Sequence, residues 1–237
     1  MSILTSQNVG ASNNIQANWT AIHSLAPERF NAYKRTGDTD ELDAVARYAW
    51  NIAVCQELQS QLHLIEITFR NQLHNALTVL HGATWFNNPR LLSLDEQKSV
   101  DRAKKQLQQL RRPDDPGRVV AELNFGFWTQ LYGKSHENDI VRPTIHSVFA
   151  HYAGTTPLKR AAVSGLLREI RLVRNRISHH EHVVFDPNLP KVHSDMVKLL
   201  QWMHPQMAEL AGIQDGFLSV YGKSWPEFRG IVETLFA

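Results

Sequence analysis

The chain has 237 residues, of which 43% are hydrophobic and 20% charged, with a formal net charge of +2. A chain of this size can bury a real core without covalent staples, and this composition is ordinary for a globular protein and excludes a polycation. The single cysteine, Cys55, excludes an intrachain disulfide and fits a reducing compartment.

Residues 1–14 are polar and carry no charged side chain, and read as a loose tail. They lack the basic start and apolar run of a secretion signal. No later stretch is long and apolar enough to cross a bilayer, so a cytoplasmic protein without a membrane partner is expected. Pro27 suits the first turn of a short helix through Arg35. Residues 36–40 break it, with Thr39 or Asp40 as the next cap. From Glu41 to His81 there is neither Gly nor Pro. Leu42, Val45, Ala49, Ile52, Ala53, Leu58, Leu62, Ile65, Phe69, Leu73, Ala76, Leu77 and Leu80 recur at helical spacing there. The pattern predicts one very long helix, or two in close succession.

A loop over 82–90 follows, and Ser93-Leu94-Asp95-Glu96 has capping-box spacing for a polar helix to about Arg112. Residues 113–117 read as a turn, 121–128 as helical and 133–139 as a loop. Thr156-Pro157 opens a helix over about 158–181, with Leu158, Ala161, Ala162, Leu166, Ile170, Val173 and Ile177 as its buried stripe. After a turn at 186–190, helices over 191–210 and 225–236 close the chain. No alternating strands appear. The expectation is an all-α protein: one helical-bundle domain over residues 15–237, with its core over roughly 40–205.

Charge is concentrated. Lys159, Arg160, Arg168, Arg171, Arg174 and Arg176 face one anion, Glu169, within eighteen residues, so the local balance exceeds that of the whole chain. A basic stripe of this kind is a candidate footprint for a polyanion, and equally a solvated helix face. It ends in Arg174-Asn175-Arg176-Ile177-Ser178-His179. Asn175 and His179 are one helical turn apart, Arg171 lies a turn before Asn175, and the long Arg174 side chain can partly bridge toward His179. A guanidinium, a carboxamide and an imidazole on one patch suit RNA cleavage. The attacking 2′-hydroxyl must lose a proton and the leaving 5′-oxygen must gain one, which histidine can do near neutral pH. A fixed guanidinium can hold the phosphoryl charge, and neither metal nor cofactor is required. The same cluster would also serve simply to cap a helix end.

Arg174-Asn175-x-x-x-His179 resembles the signature of the HEPN superfamily, and more closely its Abi-like, or abortive-infection, branch. The segments Leu64-Ile65-Glu66-Ile67-Thr68-Phe69-Arg70-Asn71-Gln72-Leu73-His74 and Glu122-Leu123-Asn124-Phe125-Gly126-Phe127-Trp128 are similar to that branch in the same order. The resemblance spans roughly residues 20–205. It implies an all-α homodimer with a composite, metal-independent ribonuclease site built from two such motifs. Arg174, Asn175 and His179 are then the catalytic candidates, acting in phage defence on RNA, with an RNA or protein antitoxin as a possible partner. A related toxin subgroup carries a tyrosine two residues after the histidine. Glu181 stands there in this chain, so regulation by modifying that tyrosine is not expected.

Glu66, Arg70 and His74 follow at four-residue steps with Asn71 beside them, a stripe that would support the Arg174–His179 patch or form ion pairs on a solvated face. Arg168, Arg171 and Arg176 are the candidate RNA contacts. Phe125-Gly126-Phe127-Trp128 reads as core, with Gly126 allowing close helix approach, although aromatic side chains can also stack on bases. His179-His180-Glu181-His182 lacks the His-Glu-x-x-His spacing because Val184 occupies the second histidine's place, so a zinc site would have to borrow His193. Two competing readings stand beside the nuclease: a module that binds RNA or an inhibitor without cutting, and a structural helix-bundle dimer.

Overall fold

The computed structural model describes residues 26–236 together with Asn18, Ile22 and Ser24. The expected tail over residues 1–14 lies outside the described residues. Among them the secondary structure is helical, with no strand, as the periodicity predicts. The helices are α1 (Pro27–Asn31), α2 (Leu42–His81), α3 (Leu94–Gln109), α4 (Pro116–Glu122), α5 (Phe125–Leu131), α6 (Arg142–Val148), α7 (Arg160–Ser178), α8 (Leu189–Met203), α9 (Pro205–Ile213) and α10 (Phe217–Phe236).

The Gly- and Pro-free stretch forms one helix of 40 residues, about 60 Å long. Asp40 caps its start by accepting the Leu42 N–H at 3.0 Å. Ile52 and Leu80, two members of the apolar pattern at helical spacing, are exposed. The capping box at Ser93 and Glu96 forms, with both reciprocal bonds present. Other boundaries differ from expectation. The first helix stops at Asn31 rather than Arg35. Asn124 interrupts the 121–128 stretch by capping a new helix, its side chain accepting from the Phe127 N–H at 3.0 Å. The expected loop over 133–139 is a 3-10 turn, Lys134–His136, followed by a π-helical turn, Glu137–Val141. Thr156-Pro157 precede α7 without entering it, because the Lys159 carbonyl receives the first helical bonds, from Ala162 and Val163. His204-Pro205 splits the predicted 191–210 helix, since Pro205 disfavours a helical His204. The closing helix begins earlier than expected, at Phe217, and is kinked at Ser224 ahead of Pro226.

The chain divides into two compact units. One comprises residues up to Gln59, Arg176–Pro190 and those from Asp215. Its core gathers Phe30, Tyr33, Leu42, Ala44, Val45 and Val232, with Tyr48 and Phe185 packed against them. Polar side chains close this unit. Arg229 joins Asp40, Asp43 and Glu233, and Arg47 meets Asp38 at 2.7 Å. The carboxamide oxygen of buried Asn51 accepts the backbone N–H of Val183 at 2.7 Å, fixing the loop that follows α7.

The other unit holds Ser60–Asn175 and Lys191–Gln214. From α2 it buries Leu62, Ile65, Phe69, Leu73 and Leu77, a stripe at three- and four-residue steps. From α7 it buries Val163, Leu167, Ile170 and Val173, so Ala161 and Ala162, expected inside, are exposed. Phe125, Phe127 and Trp128 are core, as expected, and Trp85 meets Trp128 edge-on at 5.9 Å. Gly126 does not mark a close helix approach, since an added Cβ would meet only the capping Asn124 oxygen. A buried pair joins α3 to the 3-10 turn, with His136 Nε2 lying 2.9 Å from a Glu96 oxygen.

Candidate active site

The boundary between the units falls between Asn175 and Arg176, so each unit carries part of the motif. In the second unit, Arg174 is half-buried and its guanidinium lies 3.7 Å from the carboxylate of Glu66. Asn175 is exposed, without a side-chain hydrogen bond among the described residues. The rest of the α2 stripe separates. Arg70 donates to Asn71 at 3.2 Å. His74 turns to the aromatic cluster, where its Nδ1 accepts the Trp85 indole N–H at 3.0 Å. Burial, and then the neighbouring Arg70 charge, lowers the His74 pKa.

In the first unit, His179 lies just past the last helical residue, Ser178, rather than inside a helix running to Glu181. Its place is fixed by the way the helix closes. The His180 N–H returns to the Ile177 carbonyl at 3.0 Å and the Glu181 N–H to the Arg176 carbonyl at 2.8 Å. This is a Schellman closure with His179 as the C-cap and His180 in the left-handed position, φ +57°. Glycine is the usual occupant there, because a Cβ strains that conformation. Arg29 of α1 donates to the His180 carbonyl and holds the strained residue from the other side.

His179 is exposed and lines a cleft of about 690 Å³. Residues 179–182 form one wall, and α1 with Ala32 and Tyr33 forms the other. His182 Nδ1 accepts from the Arg176 guanidinium at 3.3 Å, which leaves the ring proton on Nε2. Burial, then the Arg176 and Arg35 charges, keep the His182 pKa below the usual histidine range.

The three candidate RNA contacts part ways. Arg176 is tied inside its unit to Asp186 at 3.4 Å and Glu181 at 4.0 Å, and so is not presented as expected. Arg168 is exposed and pairs with Glu169 at 2.8 Å. Arg171 is half-buried, donates to the Thr129 hydroxyl at 3.3 Å, and has no carboxylate within 4.0 Å among the described residues. It lines a cleft of about 440 Å³ with Arg168, Thr129 and Ser164, and with the carboxylates of Asp95 and Glu96.

Elsewhere, His193 is buried against Gln61 at 3.0 Å, away from the metal role considered for it. No group of three metal-ligating side chains gathers among the described residues. Burial pushes the Cys55 thiol up to about 11, so it stays protonated at neutral pH. Sequence reasoning missed Arg29, Tyr33 and Asn51, which shape the wall around His179. Arg29 stands 151 positions from His180, and no local pattern reports so distant a partner.

Among the described residues the fold is all-helical, and its basic α7 runs into the Arg174-Asn175-x-x-x-His179 segment. The chain belongs to the Abi-like protein family, whose model matches residues 13–184 and so takes in all three motif segments. Comparison with curated proteins and with solved structures gives no match. No helix among the described residues is long and apolar enough to cross a membrane.

Proposed function

We propose that this Abi-like protein is an abortive-infection effector of HEPN type that cleaves RNA without a metal. The observation that carries the reading is His179, an exposed imidazole without a hydrogen-bond partner among the described residues, held at a closed helix end and lining a cleft of ligand size. The 2′-oxygen attacks phosphorus as its proton passes to an imidazole, and the P–O5′ bond breaks as the 5′-oxygen takes a proton. The products are a 2′,3′-cyclic phosphate and a 5′-hydroxyl. The step needs a base and an acid together, and the family resemblance implies a homodimer in which each copy supplies one His179. Arg174 clamps the phosphoryl charge, Asn175 positions the phosphate or ring, and Arg171 holds a neighbouring phosphate. An antitoxin would silence the site by covering it.

The test is cleavage of a cellular RNA pool with chelator present, by wild type and His179→Ala in parallel. Cyclic-phosphate fragments from wild type alone are expected. Equal cutting by His179→Ala would overturn the assignment. A second reading, that RNA is gripped and not cut, draws on the Glu66 carboxylate, which already engages the Arg174 guanidinium. RNA binding with no fragments from either protein would favour it.

A further inference from the structure

The cleft beside His179 carries groups that phosphodiester cleavage does not use. Its volume of about 690 Å³ is that of a small-molecule site. Pro27, Ala32 and Tyr33 give it an apolar side, while Glu28 and Arg29 bring a carboxylate and a guanidinium to the same wall. The two walls are joined, because one Arg29 nitrogen, Nη1, donates to the His180 carbonyl opposite. The other guanidinium N–H groups remain as donors of fixed direction. Across the cleft, His182 keeps its proton on Nε2 because Nδ1 is committed to Arg176. The lining therefore combines two carboxylates, Glu28 and the Arg176-paired Glu181, with oriented N–H donors.

Among the RNA bases, guanine fits that set. Its N1–H and N2 amino group donate side by side to a carboxylate, and its O6 and N7 accept together from a guanidinium. Adenine offers no donor at N1 and an amino group where guanine has O6, so both partners would face the wrong polarity. Uracil sets its lone N3–H between two carbonyls, which a carboxylate repels. Cytosine offers an amino group and the adjacent acceptors N3 and O2, but all three lie on one edge, so a carboxylate and a guanidinium would crowd the same side, and it presents one donor group where guanine presents two.

We infer that this cleft is a guanine-binding subsite, with Glu28 accepting from N1–H and N2 and Arg29 donating to O6 and N7. Its place next to a scissile phosphate rests on the ribonuclease reading of His179, whereas guanine binding itself does not. The probes are the four nucleoside 3′-monophosphates, titrated into the full chain by calorimetry, with Glu28→Ala in parallel. Glu28 is an exposed residue of the short α1, so the variant is expected to fold. Guanosine 3′-monophosphate should bind at least about tenfold more tightly than the other three, and Glu28→Ala should erase that margin while leaving adenosine 3′-monophosphate unchanged. Equal affinity for all four, or an undiminished guanine margin in Glu28→Ala, would overturn the subsite. Mapping the fragment ends from wild-type cleavage separates the two ideas. Guanine-selective binding without any fragments would keep the subsite and remove the nuclease. Fragments with no base preference, and no guanine-selective binding, would do the reverse.

Discussion

The Arg174 guanidinium and the Glu66 carboxylate stand 3.7 Å apart, one on α7 and one on the long α2. Both side chains are about one-third exposed, so the pair stabilises the fold by no more than about 1 kcal/mol. Its larger effect is on direction, since a carboxylate on one side aims the fork of the arginine. Glu66→Gln should leave the melting temperature within about 2 °C of wild type and lower RNA cleavage about tenfold, an equivalent of about 1.4 kcal/mol in the barrier. A variant that cuts as fast as wild type would show that Arg174 needs no such guide.

His180 occupies the left-handed position of the helix closure with φ +57°. An ordinary side chain there costs about 1 kcal/mol, and glycine removes that strain. His180→Gly should raise the melting temperature by about 2–4 °C, because the backbone bonds to Ile177, Arg176 and Arg29 need no side chain. His180→Val should lower it. If calorimetry finds the glycine variant less stable, the His180 ring itself is holding the loop.

Acid should destabilise the fold in two windows. Hydrogen bonds from Arg47 and Arg229 hold the Asp38 and Asp40 pKa values below the usual carboxylate range. At Glu96 burial pushes upward, but the bonds from His136 and Ser93 outweigh it. Because these folded-state values are depressed, the stability they confer is present above about pH 4 and lost as pH falls further. His74 and His182 are also depressed, so the unfolded chain takes up their protons first, and stability falls as pH drops below about 6.5. Urea midpoints measured from pH 7.5 to 3 should fall through both windows. His74→Gln should flatten the upper one, and a midpoint constant from pH 7 to 5 would contradict it.

Arg229 engages Asp40, Asp43 and Glu233, and Asp43 is almost fully buried. Arg229→Ala would strand that carboxylate away from water, at a cost of about 3 kcal/mol. The melting temperature should drop by roughly 6–12 °C, with Arg229→Lys intermediate. The double variant Arg229→Ala with Asp43→Asn should recover part of the loss. No recovery would mean that the guanidinium contributes mainly by packing.

What could be read without coordinates was what depends on near neighbours in the chain. The long α2, the capping box of Ser93 and Glu96, and the aromatic core segment at Phe125–Trp128 all follow from local spacing. The register of α7 did not. Ala161-Ala162-Val163 and Leu166-Leu167 place apolar residues side by side, and two stripes about 100° apart satisfy the sequence equally. Packing selects Val163 and Leu167. The candidate site was legible as three residue types in order, and Glu66 as a neighbour of Arg174. The strained His180, the Arg29 bond to its carbonyl and the inward turn of Arg176 depend on residues far apart in the chain or on backbone closure. The π-helical turn after His136 has no spacing signal of its own.

The first unit is assembled from three separated stretches of chain, the last beginning at Asp215. A ribosome making this protein releases the Arg174–His179 motif well before that last stretch, and with it Arg229 and Val232, has left the exit tunnel. The loop bearing His179 therefore acquires its finished surroundings only after the stretch from Asp215 has emerged, in a non-local folding event. A truncated product of interrupted synthesis would carry the motif but lack the unit that holds its histidine in place.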